Sequence, residues 1–324
     1  MLSCQRAEDL IRRCAGLKVL VAGDLMLDEF VWGNVSRISP EAPVPVVEVT
    51  GESFYAGGAA NVARNLREFT AGVGVAGLVG ADDAGGQLLA LLGEAGIDTL
   101  PVERDARRRT IVKTRVIARH QQVVRIDRDA RLAPDPAQTS RLLASIGERM
   151  PDWDAVIFSD YAKGFLTPAF SAGLCRLARG KIVTVDPSPN NALAWSGVTA
   201  VKPNLREARE VARLGNEAGI EQVGPALLRQ WGTEMVLVTL GEQGMMLFRS
   251  GSAAYHTPTR AREVFDVSGA GDTAIALFTL ALAAGALPEE AAELANHASG
   301  VAVGKLGTAT VKPEELLESA RQAG

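Results

Sequence analysis

The segment best suited to chemistry is Asp266-Val-Ser-Gly-Ala-Gly-Asp272, which leads directly into an apolar run ending at Leu280. A glycine-rich turn before an apolar run predicts the N-terminus of a buried helix, where unpaired N–H groups and the helix dipole attract an anion. Asp272 would repel a phosphate but can lie beside one and accept a hydroxyl proton, as a base does in phosphoryl transfer. The alternative is that Asp272 merely caps its helix, and this segment alone favours neither.

Two further segments place polar side chains where a sugar could bind. Gly57-Gly58-Ala-Ala-Asn61 puts glycines at a helix start, and Asn61 offers both a donor and an acceptor to sugar hydroxyls. Asp24 and Asp28 follow the first predicted strand, a position that suits two carboxylates binding vicinal hydroxyls. A plain helix start and a solvated turn are the respective alternatives.

The segment Asn204-Leu-Arg-Glu207 opens another predicted helix. Asn204 can cap this helix and Glu207, three residues later, completes a variant of the capping box. The functional alternative is that Glu207 helps to hold a hydrated Mg²⁺ ion, the usual state of Mg²⁺ beside nucleotide phosphates. The local pattern favours capping.

Short apolar runs alternate with helical patterns along the chain. Strands are predicted at residues 18–23, 73–79, 155–159, 182–186, 198–201 and 235–240, and helices at residues 59–69, 86–95, 141–149 and 168–178. This alternation predicts an α/β fold with a mostly parallel sheet covered on both faces. Ligands of such sheets bind beyond the carboxyl ends of the strands, which makes the polar residues just after strands candidates for a site. These residues are Asp24, Asp160, Asp186, Asn204 and Gly241.

Two stretches, at about residues 30–50 and 107–127, break this pattern. They alternate apolar with polar residues and show no helical periodicity, which predicts antiparallel strands with one solvated face. We interpret them as a small β-sheet outside the main sheet that acts as a lid. No internal repeat or low-complexity linker interrupts the chain, so residues 1–324 are predicted to form one domain with this lid.

Composition excludes several classes of protein. A net charge of −4 disfavours nucleic-acid binding; the arginines among residues 104–109 either form a solvated turn or attract phosphate. Three widely spaced cysteines and three histidines provide neither a disulfide framework nor a zinc site. The N-terminus does not resemble a signal peptide, and the longest apolar run is too short to span a bilayer. We therefore expect a cytoplasmic protein that binds no membrane.

Two glycine patterns resemble nucleotide-binding motifs but lack their context. Residues 72–77 match G-x-G-x-x-G literally, yet they lie within a strand-like run, whereas the dinucleotide fingerprint connects a strand to a helix. An oxidoreductase would depend on this pattern alone. Residues 300–305 lack the spacing of a P-loop, and a leucine follows the lysine.

The glycine segments at Gly57-Gly58-x-x-Asn61 and Asp266-x-x-Gly-Ala-Gly-Asp272 resemble the two signatures of the ribokinase (PfkB) carbohydrate kinase family, in order and in separation. Residues 23–28, 36–47, 159–164 and 303–308 are similar to the heptose-7-phosphate kinases of that family. The resemblance covers essentially the whole chain. It implies a ribokinase-like three-layer α/β/α fold with a small β-sheet lid.

The function implied by the resemblance is ATP-dependent phosphorylation of O1 of D-glycero-D-manno-heptose 7-phosphate, for ADP-heptose and lipopolysaccharide core synthesis. Another sugar or sugar phosphate is the alternative. A nucleoside is less favoured because aromatic residues are few, and Asp272 argues against a non-catalytic regulator. No nucleotidyltransferase-like region follows, so we expect a stand-alone kinase.

The resemblance also implies roles for individual residues. Asp272 would deprotonate the sugar O1, and the amides of Gly269, Ala270 and Gly271 would form an anion hole. The residues implied to hold the sugar phosphate are Asp24, Asp28, Gly57, Gly58, Asn61 and Asp186, with Lys163 or Arg37 at the 7-phosphate. The residues implied to hold ATP and Mg²⁺ are Asn204, Glu207, Thr239, Gly241, Gly244 and Asn296, with Glu207 reaching Mg²⁺ through water.

Two further expectations come from relatives. Asp266 and residues 304–308 match the region where many relatives bind K⁺. Lids of this family often pair, which implies a homodimer.

One departure from the family pattern concerns charge. Where Asp-Pro-Lys-Gly is expected after a strand, this chain reads Asp186-Pro-Ser-Pro189. A cation that is common near the transferring phosphate is therefore absent from that position. Lys202, which precedes Pro203, is a candidate to replace it.

Overall fold

The computed structural model describes residues 2–119, 121–129, 131–215, 217–261, 264–305, 307 and 309–322. Its helices and strands, in chain order, are α1 (Cys4–Cys14), β1 (Lys18–Gly23), β2 (Leu25–Ile38), β3 (Pro45–Gly58), α2 (Ala59–Arg67), β4 (Gly72–Gly80), α3 (Asp83–Glu94), β5 (Val102–Asp105), β6 (Ile111–Ala118), β7 (Gln121–Arg128), α4 (Pro136–Arg149), β8 (Ala155–Ser159), α5 (Pro168–Leu177), β9 (Ile182–Asp186), β10 (Ala200–Val201), α6 (Leu205–Val211), α7 (Ile220–Trp231), β11 (Met235–Thr239), β12 (Met245–Arg249), β13 (Tyr255–Thr257), α8 (Ala270–Ala283), α9 (Pro288–Ala302) and α10 (Pro313–Arg321).

The main sheet is mostly parallel, as predicted. In the described part of the chain it has nine strands in the order β13-β12-β11-β10-β9-β8-β1-β4-β5. The seven strands β11, β10, β9, β8, β1, β4 and β5 run parallel to one another. At one edge, β12 pairs antiparallel with β11, and β13 pairs antiparallel with β12. The carboxyl ends of the parallel strands therefore meet along one edge of the sheet, where ligand-binding residues of such folds collect.

Helices cover both faces of this sheet, because successive side chains of a strand point to opposite faces. Val19 and Val21 of β1 pack into a core with α1, α2, α3, α8, α9 and α10. Leu20 and Ala22 pack into a second core with α4, α5, α6 and α7. The predicted three-layer α/β/α arrangement is confirmed.

A separate small sheet has the strand order β3-β2-β6-β7. Its two outer pairs, β2–β3 and β6–β7, are antiparallel as predicted, but the central pair β2–β6 is parallel. Strands β2 and β3 also extend beyond the predicted lid, to Leu25 and Gly58. The residues from Leu25 to Leu27 are all buried, so the sequence there carries no alternation that would indicate a strand. The organisation as one domain with a lid stays a prediction.

The described residues include three free cysteines, Cys4, Cys14 and Cys175. Burial raises the pKa of the Cys14 thiol to about 12. Within the described ranges, no helix combines the length and the apolar character that crossing a membrane requires.

Candidate active site

Asp272 lies in the first turn of α8 and does not cap it. The N-cap residue is Gly269, whose φ of 79° lies in the left-handed region that glycine adopts readily. Helix α8 has no side-chain cap. The carboxylate of Asp272 instead accepts hydrogen bonds from Asn61 Nδ2 (2.7 Å) and from the Tyr161 hydroxyl (2.6 Å). The capping interpretation is therefore wrong, and Asp272 presents a buried carboxylate beside the helix N-terminus.

The electrostatic surroundings of Asp272 suit a base. Burial raises the pKa of its carboxyl group above the ordinary value for aspartate. The hydrogen bonds from Asn61 and Tyr161 and the charge of Lys202 lower this pKa, and the charge of Asp28 raises it. A carboxylate with a raised pKa accepts a proton more readily, which is what general base catalysis requires.

The glycines before α2 make room for their neighbours. A Cβ atom on Gly57 would lie 2.3 Å from Asp28 Oδ2, and Gly58 has a φ of 60°. Directly behind them, Asn61 Oδ1 is buried and lacks a hydrogen-bond partner among the described residues. An unpartnered buried acceptor costs free energy, and a ligand hydroxyl would satisfy it.

Asp24 and Asp28 occupy different environments. Asp24 accepts backbone N–H bonds from Tyr161 and Lys163 on Oδ2 and from Phe165 on Oδ1, at 3.0–3.1 Å. It holds the loop after β8, and its role as one of two ligands for vicinal hydroxyls stays a prediction. Asp28 instead pairs with Arg115 of the small sheet at 2.5 Å and acts electrostatically on Asp272.

A cavity of about 610 Å³ lies beside Asp272, at the carboxyl ends of the strands. Carboxylates and cations both line it: Asp160, Asp186, Glu207, Asp272, Lys202 and Arg206. Asp160 Oδ2 is buried without a hydrogen-bond partner in the described part of the chain, and burial raises the pKa of Asp160 to about 6. Gly269 and Gly271, at the N-terminus of α8, also line the cavity. Its wall therefore combines a helix N-terminus, which attracts anions, with acidic side chains.

Asn204 and Glu207 form the predicted capping box at the start of α6. Asn204 Oδ1 accepts the Glu207 N–H at 2.9 Å, and Glu207 Oε2 accepts the Asn204 N–H at 2.9 Å. The capping interpretation is confirmed for both residues. Both also line the 610 Å³ cavity, which leaves the magnesium role open alongside it.

A second cavity of about 450 Å³ adjoins the first and shares Thr239, Gly241, Val267 and Gly271 with it. Its wall is mostly apolar and includes Gly244 and Asn296. The Asn296 amide donates to Thr257 Oγ1 and to the Pro258 carbonyl, and thereby fixes the loop after β13. The structure thus brings together all six residues predicted to hold the nucleotide: Asn204, Glu207, Thr239, Gly241, Gly244 and Asn296.

The two cations predicted to hold the 7-phosphate lie on different elements, Lys163 after β8 and Arg37 on β2. Lys163 follows β8, pairs with Asp129, and lies close enough to Lys113 of β6 to lower the pKa of that half-buried amine, as burial also does. Arg37 is exposed near the end of β2, nine residues beyond Asp28. A strand rises about 3.3 Å per residue, so Arg37 lies at most roughly 30 Å along β2 from Asp28, and its role at the 7-phosphate stays a prediction.

The remaining two predictions concern Asp186 and Asp266. Asp186 pairs with Lys202 at 3.0 Å on the wall of the larger cavity. Asp266 accepts the N–H groups of Ser268 (2.8 Å) and Gly307 (3.1 Å) and joins the start of α8 to the loop after α9. Thr308, the last residue of the predicted potassium loop, lies outside the described residues.

Tyr161 was not assigned to this site from the sequence, and Lys202 was predicted only as a candidate to replace a missing lysine. Tyr161 contacts Asp272, and Lys202 enters the cavity next to Gly271. Both follow strand ends, so the rule that ligands collect there could have found Tyr161, two residues after β8.

The fold is of the ribokinase-like class. Ribokinase from Thermotoga maritima superposes with a TM-score of 0.76 at 19% identity, over 94% of this chain and 99% of that one. Phosphofructokinase-2 from Escherichia coli, in complex with substrates and products, gives a TM-score of 0.76 at 20% identity, over 94% and 99%. Identities this low show a common fold and no more.

The chain belongs to the pfkB family of carbohydrate kinases, since the family model described as pfkB family carbohydrate kinase matches residues 17–315. It is 43% identical over 314 residues to the Bifunctional protein HldE of Trichlorobacter lovleyi and 45% identical over 320 residues to that of Caulobacter vibrioides. These alignments cover 96% and 97% of this chain but 64% and 65% of the relatives, so the chain spans less than two thirds of their length. The family resemblance predicted from the sequence is confirmed.

Proposed function

We propose that this protein transfers the γ-phosphoryl group of ATP to O1 of D-glycero-D-manno-heptose 7-phosphate. The observation that carries the proposal is the buried carboxylate of Asp272, held at the N-terminus of α8 between the small sheet and two adjoining cavities. The heptose assignment rests on the resemblance of residues 36–47 and 159–164 to heptose-7-phosphate kinases and on the HldE relatives. A family kinase acting on another sugar or sugar phosphate is the second candidate.

The proposed reaction uses Asp272 as the base. Its carboxylate takes the O1 proton while O1 forms a bond to the γ-phosphorus and the bond from that phosphorus to the bridging oxygen of ADP breaks. The backbone N–H group of Gly271 would face the charge that develops on the transferring group. The Ala270 N–H, also predicted to form the anion hole, instead donates to the Val267 carbonyl at 3.3 Å. Asn61 Oδ1, buried and unpartnered among the described residues, supplies an acceptor for a sugar hydroxyl.

The residues around the larger cavity fit a nucleotide that carries a divalent cation. The acidic groups Asp160, Asp186 and Glu207 would repel a bare triphosphate, and Mg²⁺ bound to the phosphates offsets this repulsion. Within the described residues, no three His, Cys, Asp or Glu side chains are grouped to hold a metal ion directly. Glu207 would therefore act through water, and Mg²⁺ would neutralise charge on the phosphates.

A phosphate on the sugar fits two lysines, Lys113 of β6 and Lys163 after β8, of which Lys163 also pairs with Asp129. Lys113 is half-buried, and burial and the charge of Lys163 lower its pKa, while Asp127 raises it. Two ammonium groups that repel each other are both stabilised by a dianionic phosphate between them. This argument favours a sugar phosphate over a neutral sugar.

The first test is ADP release with Mg-ATP against D-glycero-D-manno-heptose 7-phosphate, ribose, fructose 6-phosphate, fructose 1-phosphate and adenosine. We expect turnover on the heptose phosphate alone. Turnover on another compound of this panel would retain the kinase and change its sugar. If none of the five compounds stimulates ADP release although ATP still binds, the proposal is contradicted.

A second test concerns the phosphate end of the sugar. Lys113→Met should raise KM for the sugar phosphate about 10-fold or more, because a hydrogen bond to a charged group contributes about 1.5–3 kcal/mol, and leave KM for ATP unchanged. The exposed Lys312, at the start of α10, provides the matched control as Lys312→Met. If Lys113→Met and Lys312→Met have the same KM for the sugar phosphate, Lys113 does not bind its phosphate.

The small sheet is proposed to act as a lid and as a dimer interface. The sheet and its β2–β3 turn expose a set of apolar side chains: Ile38, Val44, Val49, Val123, Val124 and Ile126. Exposed apolar patches commonly mark interaction surfaces, and a second copy of this sheet is the proposed partner. Light scattering should show a dimer that Ile126→Glu dissociates and Leu100→Glu, at an exposed leucine outside this sheet, does not. A monomeric unaltered protein would contradict the dimer.

The remaining assignments stay predictions. If K⁺ binds beside Asp266, turnover should be faster in KCl than in a tetramethylammonium salt at equal ionic strength. A cytoplasmic location and a role in ADP-heptose and lipopolysaccharide core synthesis follow from the proposed substrate.

A further inference from the structure

Lys202 is a buried lysine at the wall of the larger cavity. Strand β10 pairs in parallel with β9, with Val201 beside Val185, so the next residue of each strand, Lys202 and Asp186, are also neighbours. The Lys202 side chain is 4% exposed, and its Nζ atom lies 3.0 Å from Asp186 Oδ1. Lysine is rarely buried this far, and a buried ion pair by itself is weak evidence for stability. Stability alone therefore does not account for the burial of this lysine, which indicates a functional role.

The ammonium group borders the same space as the base and the helix N-terminus. A Cβ atom on Gly271 would lie 3.5 Å from Lys202 Nζ and 3.9 Å from Asp186 Oδ2. The charge of Lys202 also acts on the neighbouring carboxylate of Asp272. Glycine at position 271 thus leaves open the space between the amide end of α8 and the Lys202–Asp186 pair, and all four residues line one cavity.

Asp186 balances the ammonium only in part. Burial raises the pKa of Asp186 to about 7, although Lys202 opposes this shift. The raised pKa favours the neutral form of Asp186, which weakens its compensation of the Lys202 charge, while Asp272 and Glu207 lie at the same cavity. An anionic group entering the cavity would complete the compensation.

We propose that Lys202 is a catalytic residue whose ammonium contacts the γ-phosphoryl group of the nucleotide and stabilises its charge during transfer, with Asp186 holding the ammonium in position. This inference rests on the proposed phosphoryl transfer. Ser188 stands where the family pattern has a lysine, and it lines the same cavity. Lys202 reaches this cavity from the neighbouring strand, so the cation is supplied by β10 instead of the segment after β9.

Lys202 does not change which bonds form and break in the proposed reaction. The O1 proton moves to Asp272, the new bond joins O1 to the γ-phosphorus, and ADP leaves with the bridging oxygen. Lys202 keeps its protons and contributes only its charge and hydrogen bonds. Preorganised charge of this kind, aimed at a transferring group in a buried site, commonly contributes a large share of catalysis.

The test compares ADP with the β,γ-imido analogue of ATP, both with Mg²⁺ and without sugar, by calorimetry. Lys202→Met keeps an unbranched apolar chain, one atom shorter, and removes the charge. The analogue should bind about 10- to 100-fold more weakly, as expected for one lost charged hydrogen bond, while the dissociation constant of ADP stays nearly unchanged. Turnover should fall about 100-fold or more. Ethylammonium added to Lys202→Ala should restore part of the turnover.

Lys181→Met is the matched control, because Lys181 precedes β9 and contacts the Trp153 carbonyl at the opposite end of that strand from Asp186. This variant should bind both nucleotides normally. If Lys202→Met fails to fold because Asp186 is left unpaired, Lys202→Met/Asp186→Asn removes both charges and is measured in the same way.

Equal weakening of ADP and the analogue, or normal turnover of Lys202→Met, would overturn the inference and assign the pair a structural role. The nucleotide measurement needs no sugar. If Lys202→Met weakens binding of the analogue but not of ADP, Lys202 contacts the γ-phosphoryl group. If the unaltered protein then fails to phosphorylate the heptose phosphate, only the sugar assignment is refuted.

Discussion

Replacing Tyr161 by phenylalanine removes one of the two hydrogen bonds that hold the base. The Tyr161 hydroxyl donates to Asp272 Oδ1 at 2.6 Å, within the range of a bond to a charged oxygen. Burial and the neighbouring Asp272 raise the pKa of Tyr161 well above its ordinary value, so the hydroxyl keeps its proton and remains a donor. The substitution leaves the ring in place and deletes only this donor.

The expected effect is a shift in the pH dependence of kcat/KM. The hydrogen bond stabilises the charged form of Asp272 and lowers its pKa, against the raising effect of burial. Without it, the pKa rises further, and the base becomes protonated, hence inactive, at a higher pH. A hydrogen bond to a charged group contributes about 1.5–3 kcal/mol. At 1.36 kcal/mol per pKa unit, the acid limb should move up by about 1–2 pH units.

The assay is kcat/KM for the phosphoryl acceptor, measured from about pH 5 to 9 across the range in which carboxyl and imidazole groups titrate. Tyr255→Phe is the matched control, since the Tyr255 hydroxyl also donates to a carboxylate, Glu293, between β13 and α9. The control should keep the acid limb of the unaltered protein. An acid limb that coincides in Tyr161→Phe, Tyr255→Phe and the unaltered protein would refute the assignment of Asp272 as the titrating base.

Three other outcomes are expected. Asp272→Asn should lower kcat by several orders of magnitude, because base catalysis and positioning each contribute about 10²-fold or more, with the affinity for ATP retained in calorimetry; near-normal turnover would exclude the base role. Phe278→Ala, in the fully buried middle of α8, should lower the free energy of unfolding in urea by about 3–5 kcal/mol, and a much smaller loss would mean that the core collapses around the gap. Gly224→Ala should cost about 1–3 kcal/mol in the same assay, since its Cβ would lie 2.4 Å from the ring of Phe248; an unchanged stability would show that the ring shifts freely.

The sequence predicted the features that depend on neighbours along the chain. The start of α8 at Gly269 follows from glycine and the apolar run after it, and the capping box of Asn204 and Glu207 follows from a three-residue spacing. Six strands of the main sheet, β1, β4, β8, β9, β10 and β11, were predicted because each is a short buried run. Strands β5, β12 and β13 were not predicted, and β5 and β13 are only partly buried. Strand β2 was found only in part, since its first residues are buried on both sides.

The contacts that complete the site depend on strand order, which local periodicity does not encode. Tyr161 and Asp272 are 111 residues apart in sequence and meet because the carboxyl end of β8 and the N-terminus of α8 lie at the same edge of the sheet. Lys202 and Asp186 meet because β10 pairs with β9 in register. The sequence by itself therefore determined the layers of this protein and the helix end that carries the base. Only the tertiary structure decided which side chains hold that base and which cation faces it, because those contacts form between segments that the chain separates and the sheet joins.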